Sequence, residues 1–210
     1  MEADAAARYS FAVRFCRGKR VLDIGTGLGL GAKYLARQGA KSVLGIDYSA
    51  EVIRIARKSA PNNAKFISMD SKKRSLMSKK FDVVFAFEII EHLPTNDIDK
   101  FISTICRLLF RRGRLLVSTP NGENSVRIWG RLYNPYHVQE YTPSQLKNVL
   151  KPYFKKLKIW GIKCISTSYF FRQSRLDKSL FYKIAFLIGS FKLVREALGL
   201  IPRDLKRKVT

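Results

Sequence analysis

From residue 19 to about residue 118, short apolar runs alternate with segments whose apolar positions recur at helical spacing. Val21–Ile24, Ser42–Ile46, Ala64–Ile67, Phe81–Ala86 and Arg114–Val117 read as buried strands. Residues 29–38, 49–59 and 96–110 read as the helices that join them. In the third, Ile98, Phe101, Ile102, Ile105, Leu108 and Leu109 fall on one stripe, with Thr95 as N-cap and Gly113 just past the end. Strands that are apolar on both faces and joined by helical crossovers predict an α/β fold with a parallel, doubly wound sheet. Residues 4–17, within an N-terminal segment 1–18, predict a helix packed on that sheet.

The pattern changes after Pro120. Asn121-Gly122 ends the parallel run, and residues 121–141 are loop-rich with room for one short helix. Thr142-Pro143 is a helix start for residues 143–151, with Thr at the N-cap and Pro in the first turn. Residues 154–164 predict a strand, paired with residues 168–171. Residues 177–199 carry a helical stripe that includes Leu180, Ile184, Leu187, Phe191 and Leu198. No repeat or low-complexity linker interrupts the chain. The expected organisation is one domain over 1–171 and a basic amphipathic helical extension or cap over 172–210.

At 210 residues, 46 % apolar and 27 % charged, the composition is that of a globular chain and excludes a disordered or collagen-like one. Its three cysteines form neither a disulfide framework nor a zinc site, which predicts a reducing compartment. The acidic, polar N-terminus does not read as a secretory signal, and no apolar run approaches the about 20 residues of a membrane span. A cytoplasmic protein is expected, with association at a membrane surface left open. Charge changes the picture more: the net value is +24, and residues 141–210 hold 16 basic against 3 acidic side chains. Such a surplus predicts an anionic partner.

The segment Val21-Leu-Asp-Ile-Gly-Thr-Gly-Leu-Gly links the first strand to the first helix. A glycine-rich turn there lets backbone amides approach a ligand closely. Asp23, two residues before the first glycine, would repel a pyrophosphate and suits a cationic cofactor group. Asp47 ends the second strand, placed to accept from ribose hydroxyls. Gly25 and Gly27 taken alone could equally serve a tight strand–helix turn, and Asp70 a helix cap.

These residues, with Gly45–Ser49, Met69-Asp70, Phe81–Leu93, Arg114–Asn121 and Asn134–Thr142, resemble the class I S-adenosylmethionine-dependent methyltransferases. The resemblance spans residues 8 to about 163. It is strongest toward the branch of ubiquinone-pathway O-methyltransferases and of methyltransferases for glycan and lipid-like acceptors. It implies a Rossmann-like, mostly parallel seven-stranded sheet with an antiparallel last strand. It also implies that Gly25, Thr26 and Gly27 line the methionine moiety of S-adenosylmethionine, with Asp23 close by. Asp47 would hold the ribose, Tyr48 would pack on the adenine, and Asp70 would face its amine. The product would be S-adenosylhomocysteine.

Both histidines, His92 and His137, fall inside these motifs. On a helical turn Glu88, Glu91 and His92 would share one face. Three readings stand side by side. One imidazole acts as general base on a substrate hydroxyl, with Glu91 beside it. Alternatively Glu88, Glu91, His92 and His137 hold a divalent metal, an arrangement similar to that of small-RNA 2′-O-methyltransferases. In the third, Glu88 binds the cofactor's amino group while both histidines fix loops. The RNA resemblance departs at Tyr141, where that family usually has Trp, and lacks its N-terminal signature.

The basic, aromatic-rich stretch 179–208 reads as an interfacial helix on anionic lipid, a lid over the site, a packed cap or a homodimer contact. The resulting expectation is a methyltransferase acting on a hydroxyl of a small lipid-linked, prenylated or glycan-type acceptor. RNA methylation and a non-catalytic binding module that has kept the fold are the alternatives.

Overall fold

The computed structural model describes residues 3–68, 80–125, 127–128, 131–132 and 134–161. The chain divides into two compact units, residues 13–160 and residues 1–12 with 161–210. In the second unit the described structure is α1 (Ala3–Ala12). The expected boundary at residue 171 and the helix over 177–199 lie outside the described residues.

Within the first unit the predicted alternation is realised. β1 (Arg20–Ile24), α2 (Leu30–Arg37), β2 (Ser42–Asp47), α3 (Ala50–Arg57) and β3 (Ala64–Ser68) follow one another. Next come β4 (Phe81–Phe87), α4 (Thr95–Leu108) and β5 (Leu109–Ser118). The five strands form one parallel sheet in the order β3-β2-β1-β4-β5. The order reverses between β1 and β4, which opens a crevice at their carboxyl ends. This is the Rossmann-like arrangement. A short antiparallel hairpin, β6 (Arg127–Ile128) and β7 (Arg131–Leu132), and α5 (Pro143–Leu150) complete the described strands and α-helices.

The core forms where Leu22, Ile24, Leu44, Ile46, Val84 and Ala86 on one sheet face meet the α4 stripe of Ile98, Phe101, Ile102, Ile105 and Leu108. α2 and α3 pack against β2 and β3, and right-handed crossovers put them on the face opposite α4. Each large aliphatic side chain fully buried there contributes about 1.5–3 kcal/mol of transfer free energy. The Thr142–Pro143 helix start is realised with a full capping box: the Thr142 hydroxyl accepts from Gln145 N–H, and the Gln145 side chain accepts from Thr142 N–H.

Three expectations are corrected. The sheet has five parallel strands among the described residues, not seven with an antiparallel last one. Residues 154–161 pair with no described strand: Phe154 and Leu157 turn onto the core while Ile159 and Trp160 face solvent. That spacing does not bury one face of a strand, whose side-chain period is two. Residues 162–171 lie outside the described residues. α4 ends at Leu108 and passes straight into β5, well before Gly113, and its N-cap is Pro94 without a side-chain bond. Phe81 pairs with Leu109 but Val83 pairs with Arg114, so Phe110–Gly113 bulge from the ladder. Over 121–141 the chain forms a 3-10 turn (Gly122–Asn124) and the β6–β7 hairpin. No described helix is long and apolar enough to cross a membrane.

Candidate active site

The crevice is floored by the glycine loop that leaves β1. Gly25 has φ +68°, and a Cβ there would lie 2.3 Å from Ile89 Cδ1. Gly27 has φ +53° with nothing within 4 Å of its missing Cβ, so that side of the loop stays open. The Gly27 N–H donates to Asp47 Oδ2 at 2.9 Å, and Ser49 N–H donates to Asp47 Oδ1 at 3.0 Å. One carboxylate thereby ties the first loop to the end of β2 and keeps lone pairs for further donors. Asp23 is fully buried and accepts from the Thr26 hydroxyl at 2.7 Å, so it holds the loop from beneath. The Thr26 N–H donates to Ile46 O. Tyr48, 87 % exposed, stands beside Asp47 with its ring available. Asp70 lies outside the described residues.

Gly25→Ala is expected to cost about 2–4 kcal/mol, combining left-handed strain with the clash on Ile89. Gly27→Ala should lose only the strain, about 1–2 kcal/mol. Urea unfolding of both variants checks the difference.

β4 supplies the opposite wall. Glu88 sits at its end with φ +53°, the left-handed region. Its N–H donates to Ser118 O at 3.0 Å, and its carboxylate accepts from the Ser118 hydroxyl at 2.6 Å. The expected helical turn shared by Glu88, Glu91 and His92 is therefore not formed. Only Ile90–His92 make a 3-10 turn, because the backbone kinks at Glu88 to meet β5.

Glu91, His92 and His137 do converge. Glu91 is fully buried, and neither carboxylate oxygen has a hydrogen-bond partner. Burial raises its pKa above the usual carboxylate range; Glu88 adds to this, while a backbone amide, the neighbouring Thr119 hydroxyl and His92 oppose it. Thr119 Oγ1 lies beside it outside hydrogen-bond geometry, itself without a partner. Burial, and the charge of Glu91, also raise the Tyr141 phenol. The Glu91 carbonyl accepts from Val138 N–H at 2.7 Å and Gln139 N–H at 3.2 Å, which brings the 134–140 loop to the crevice.

The rings of His92 and His137 meet edge to face, centroids 4.9 Å apart. His92 Nδ1 bonds the Tyr136 carbonyl at 2.9 Å. A carbonyl only accepts, so Nδ1 donates in this bond and Nε2 is the ring nitrogen left to accept. His137 Nδ1 bonds Glu140 at 2.7 Å and Nε2 meets the Asn134 carboxamide at 2.9 Å. Glu140 in turn accepts from Ser125. One ligand atom from each of Glu91, His92 and His137 lies within 4.8 Å of the others. This donor set fits a divalent cation: an orphaned carboxylate and two imidazoles, one backed by a carboxylate. Glu88, bonded to Ser118, is not among the three. A concavity of about 660 Å³ beside His137 is lined by Leu132, Asn134, Pro135, Val138, Gln139 and Gln145, among others.

Ser118, Asn134 and Glu140 had no assigned role in the sequence reading. Glu140 sits three residues after His137, a spacing that could have marked it as the orienting carboxylate. Ser118 gave no local signal, since its partner is 30 residues away. Burial, and then the Asp23 charge, push the Cys16 thiol up to about 12, which disfavours the thiolate.

Comparison with known proteins agrees with this fold. The family model of the methyltransferase domain matches residues 1–153. A ubiquinone biosynthesis O-methyltransferase of Pelagibacter ubique is 39 % identical over 104 residues, covering 49 % of this chain and 42 % of the relative. A probable S-adenosylmethionine-dependent methyltransferase of Mycolicibacterium smegmatis is 32 % identical over 141 residues, covering 65 % of this chain and 51 % of that protein. The chain thus spans two-fifths to half the length of these curated relatives. Among solved structures, an S-adenosylmethionine-dependent methyltransferase from Mesorhizobium loti superposes with a TM-score of 0.62 at 20 % identity, over 85 % of this chain and 94 % of its own. Magnesium protoporphyrin IX methyltransferase from Synechocystis, with bound S-adenosylmethionine, gives 0.53 at 22 % identity over 71 % and 65 %. These two likenesses are of fold. By its sheet, its crevice and the match over residues 1–153, the chain belongs to the methyltransferase-domain family.

Proposed function

We propose that the chain is an S-adenosylmethionine-dependent methyltransferase acting on a hydroxyl oxygen of a small lipid-like, prenylated or glycan-type acceptor. The observation that carries this reading is that the Asp47-clamped glycine loop and the Glu88–His92 segment leave the paired strands β1 and β4 at one carboxyl edge, with Ile89 against Gly25. Asp47 would accept from the ribose hydroxyls with its remaining lone pairs, and the open side of Gly27 admits the cofactor. Tyr48 would cover the adenine, and Glu88 would receive the cationic amino group. The acceptor class rests on the O-methyltransferase names of the curated relatives.

In the transfer the acceptor oxygen attacks the methyl carbon in line with the carbon–sulfur bond. The electron pair of that bond would leave with sulfur, neutralising the sulfonium, and His92 Nε2 would take the hydroxyl proton. The sulfonium methyl is already activated, so orientation supplies most of the acceleration, up to about 11 kcal/mol in favourable cases. His137, fixed by Glu140, positions the His92 ring. His92→Ala is expected to lower kcat about 100-fold or more, with a smaller loss for His137→Ala. Both should leave cofactor affinity within about threefold of wild type, about 0.7 kcal/mol. Unchanged turnover in both variants would remove them from proton transfer.

A second reading is favoured by the unpartnered oxygens of Glu91. A divalent cation held by Glu91, His92 and His137 would lower the pKa of the acceptor hydroxyl. His137 would then exchange its bond to Asn134 for the metal. Loss of turnover in chelator, restored by added magnesium or manganese, marks this case.

Acceptor class is tested by incubating the protein with methyl-labelled cofactor and cell extract, then separating lipid, small-molecule, RNA and protein fractions. Label among lipids or small molecules supports the proposal. Label in RNA replaces it with the RNA alternative, and no label supports the non-catalytic one. The proposed membrane or homodimer contact through 179–208 lies outside the described residues.

A further inference from the structure

The strands of this sheet begin on a strongly basic edge, opposite the crevice. Arg20 opens β1, Lys41 precedes β2, Lys65 is the second residue of β3 and Lys80 precedes β4. Arg111 and Arg112 form the exposed bulge of β5. The register Arg20↔Ser42, Val43↔Ala64 and Phe81↔Leu109 aligns these positions along one line. Five strands about 4.8 Å apart make that line about 19 Å long. Among the described residues the acidic group at this edge is Asp82, whose carboxylate accepts from the Arg20 N–H at 2.8 Å. Asp47, Glu51, Glu88, Asp97, Asp99 and Glu140 all lie toward the other edge, at strand ends, helix starts or the loops that follow.

The basic line borders a groove of about 570 Å³ whose walls include Arg20, Asn62, Lys65, Lys80, Phe81 and Phe110. Phe110 is 38 % exposed, and the Arg20 guanidinium lies 5.6 Å from its ring centroid. Three cations lining a groove, Arg20, Lys65 and Lys80, continued along the edge by Lys41 and Arg111–Arg112 and with an aromatic beside an arginine, have the chemistry that tracks a phosphate backbone and stacks a base. A bilayer surface fits less well. Interfacial binding needs several apolar side chains to dip among lipid tails, and Phe110 is the one exposed large hydrophobic of the groove.

We propose that the amino-terminal edge of the sheet, centred on Lys65, Arg20, Lys80 and the Arg111–Arg112 bulge, is a docking surface for single-stranded nucleic acid. It lies a full strand length from the crevice, about 16 Å at 3.3 Å per residue, so docking leaves the cofactor site open. The inference does not rest on the proposed methyl transfer.

Fluorescence anisotropy with a labelled oligouridylate tests it on the full chain. Contact with about five phosphates gives a log–log salt slope of about −3.5, so affinity should fall about 100-fold between about 50 and about 200 mM salt. K65E/R111E/R112E should weaken binding more than about tenfold and reduce the slope by about 2. A charge-matched change in the basic C-terminal stretch, K206E/R207E/K208E, should weaken it less than about threefold, the effect of delocalised charge alone. Unchanged affinity for S-adenosylhomocysteine and an unchanged melting curve show that the variants fold. If the triple reversal does not fold, K65A/R111A/R112A takes its place. Absence of binding, an equal or larger loss in the C-terminal variant, or binding to phosphatidylserine vesicles without binding to oligouridylate overturns the proposal.

Discussion

Glu91→Gln is expected to raise the stability of the protein at neutral pH and to lower its turnover. Glu91 is fully buried with neither oxygen hydrogen-bonded, so its ionisation in the folded state is unfavourable. A neutral carboxamide of the same shape removes a penalty of about 1–3 kcal/mol. For a chain of this size each kcal/mol moves Tm by about 2–4 °C. The pH dependence has a definite sign. Burial raises the folded pKa above the ordinary 4.5. The folded state therefore binds more protons than the unfolded one, and stability falls as pH rises from about 4.5 through the raised value. The variant should lack that fall, and denaturant unfolding at about pH 5 and about pH 8 reads the difference. A variant less stable than wild type at the higher pH contradicts the assignment. Turnover should drop about tenfold or more, because the carboxylate next to His92 favours the imidazolium that forms on proton uptake; about 1.4 kcal/mol of that support is a factor of ten.

Glu88 yields a second large effect, with stability and binding moving independently. Its φ of +53° costs a residue with a Cβ about 1–2 kcal/mol. Glu88→Ala keeps the strain and loses the Ser118 bond. Glu88→Gly loses the same bond but relieves the strain. Gly should therefore be the more stable of the two variants by about 1 kcal/mol, about 2–4 °C in Tm. Both should weaken cofactor binding about 10- to 100-fold, the worth of a charge-assisted hydrogen bond of about 1.5–3 kcal/mol. Strain retained at a carboxylate that the fold could replace with glycine fits a residue kept for what it binds. Equal melting temperatures for the two variants, or wild-type affinity in both, would show that this backbone geometry serves packing alone.

The parallel sheet was legible because its strands are buried on both faces and so read as continuous apolar runs. Leu22 and Ile24 face one helical layer while Val21 and Asp23 lie under the other side of the sheet, and all four are buried. The α4 stripe was legible for the same reason, since Ile98 to Leu108 recur at helical spacing against one face. What escaped was set by pairing at a distance. The Phe110–Gly113 bulge depends on how β5 meets β4, and nothing local distinguishes it from a helix end. The left-handed Glu88 depends on Ser118, and the glycine-poor segment around it reads as an ordinary turn.

At the site, residue identities were legible and their division of labour was not. The glycine loop and Asp47 stood out by residue type and spacing, and the structure joins them through the Gly27 N–H and the Asp47 carboxylate. The sequence placed His92 and His137 as equals. They differ in structure: the Tyr136 carbonyl leaves His92 Nε2 free, while Glu140 and Asn134 occupy both nitrogens of His137. Asp23 is likewise beneath the loop, where its carboxylate accepts from the Thr26 hydroxyl.

One titration weighs more than the rest. S-adenosylhomocysteine, added calorimetrically to the intact chain and to an Asp47→Ala variant, reads the crevice itself. Saturable binding at one site per chain, weakened about tenfold or more in the variant by loss of about 1.5–3 kcal/mol of ribose hydrogen bonding, is the predicted result. No binding to the intact chain, or the same affinity in both, would contradict the assignment of this crevice as the cofactor site.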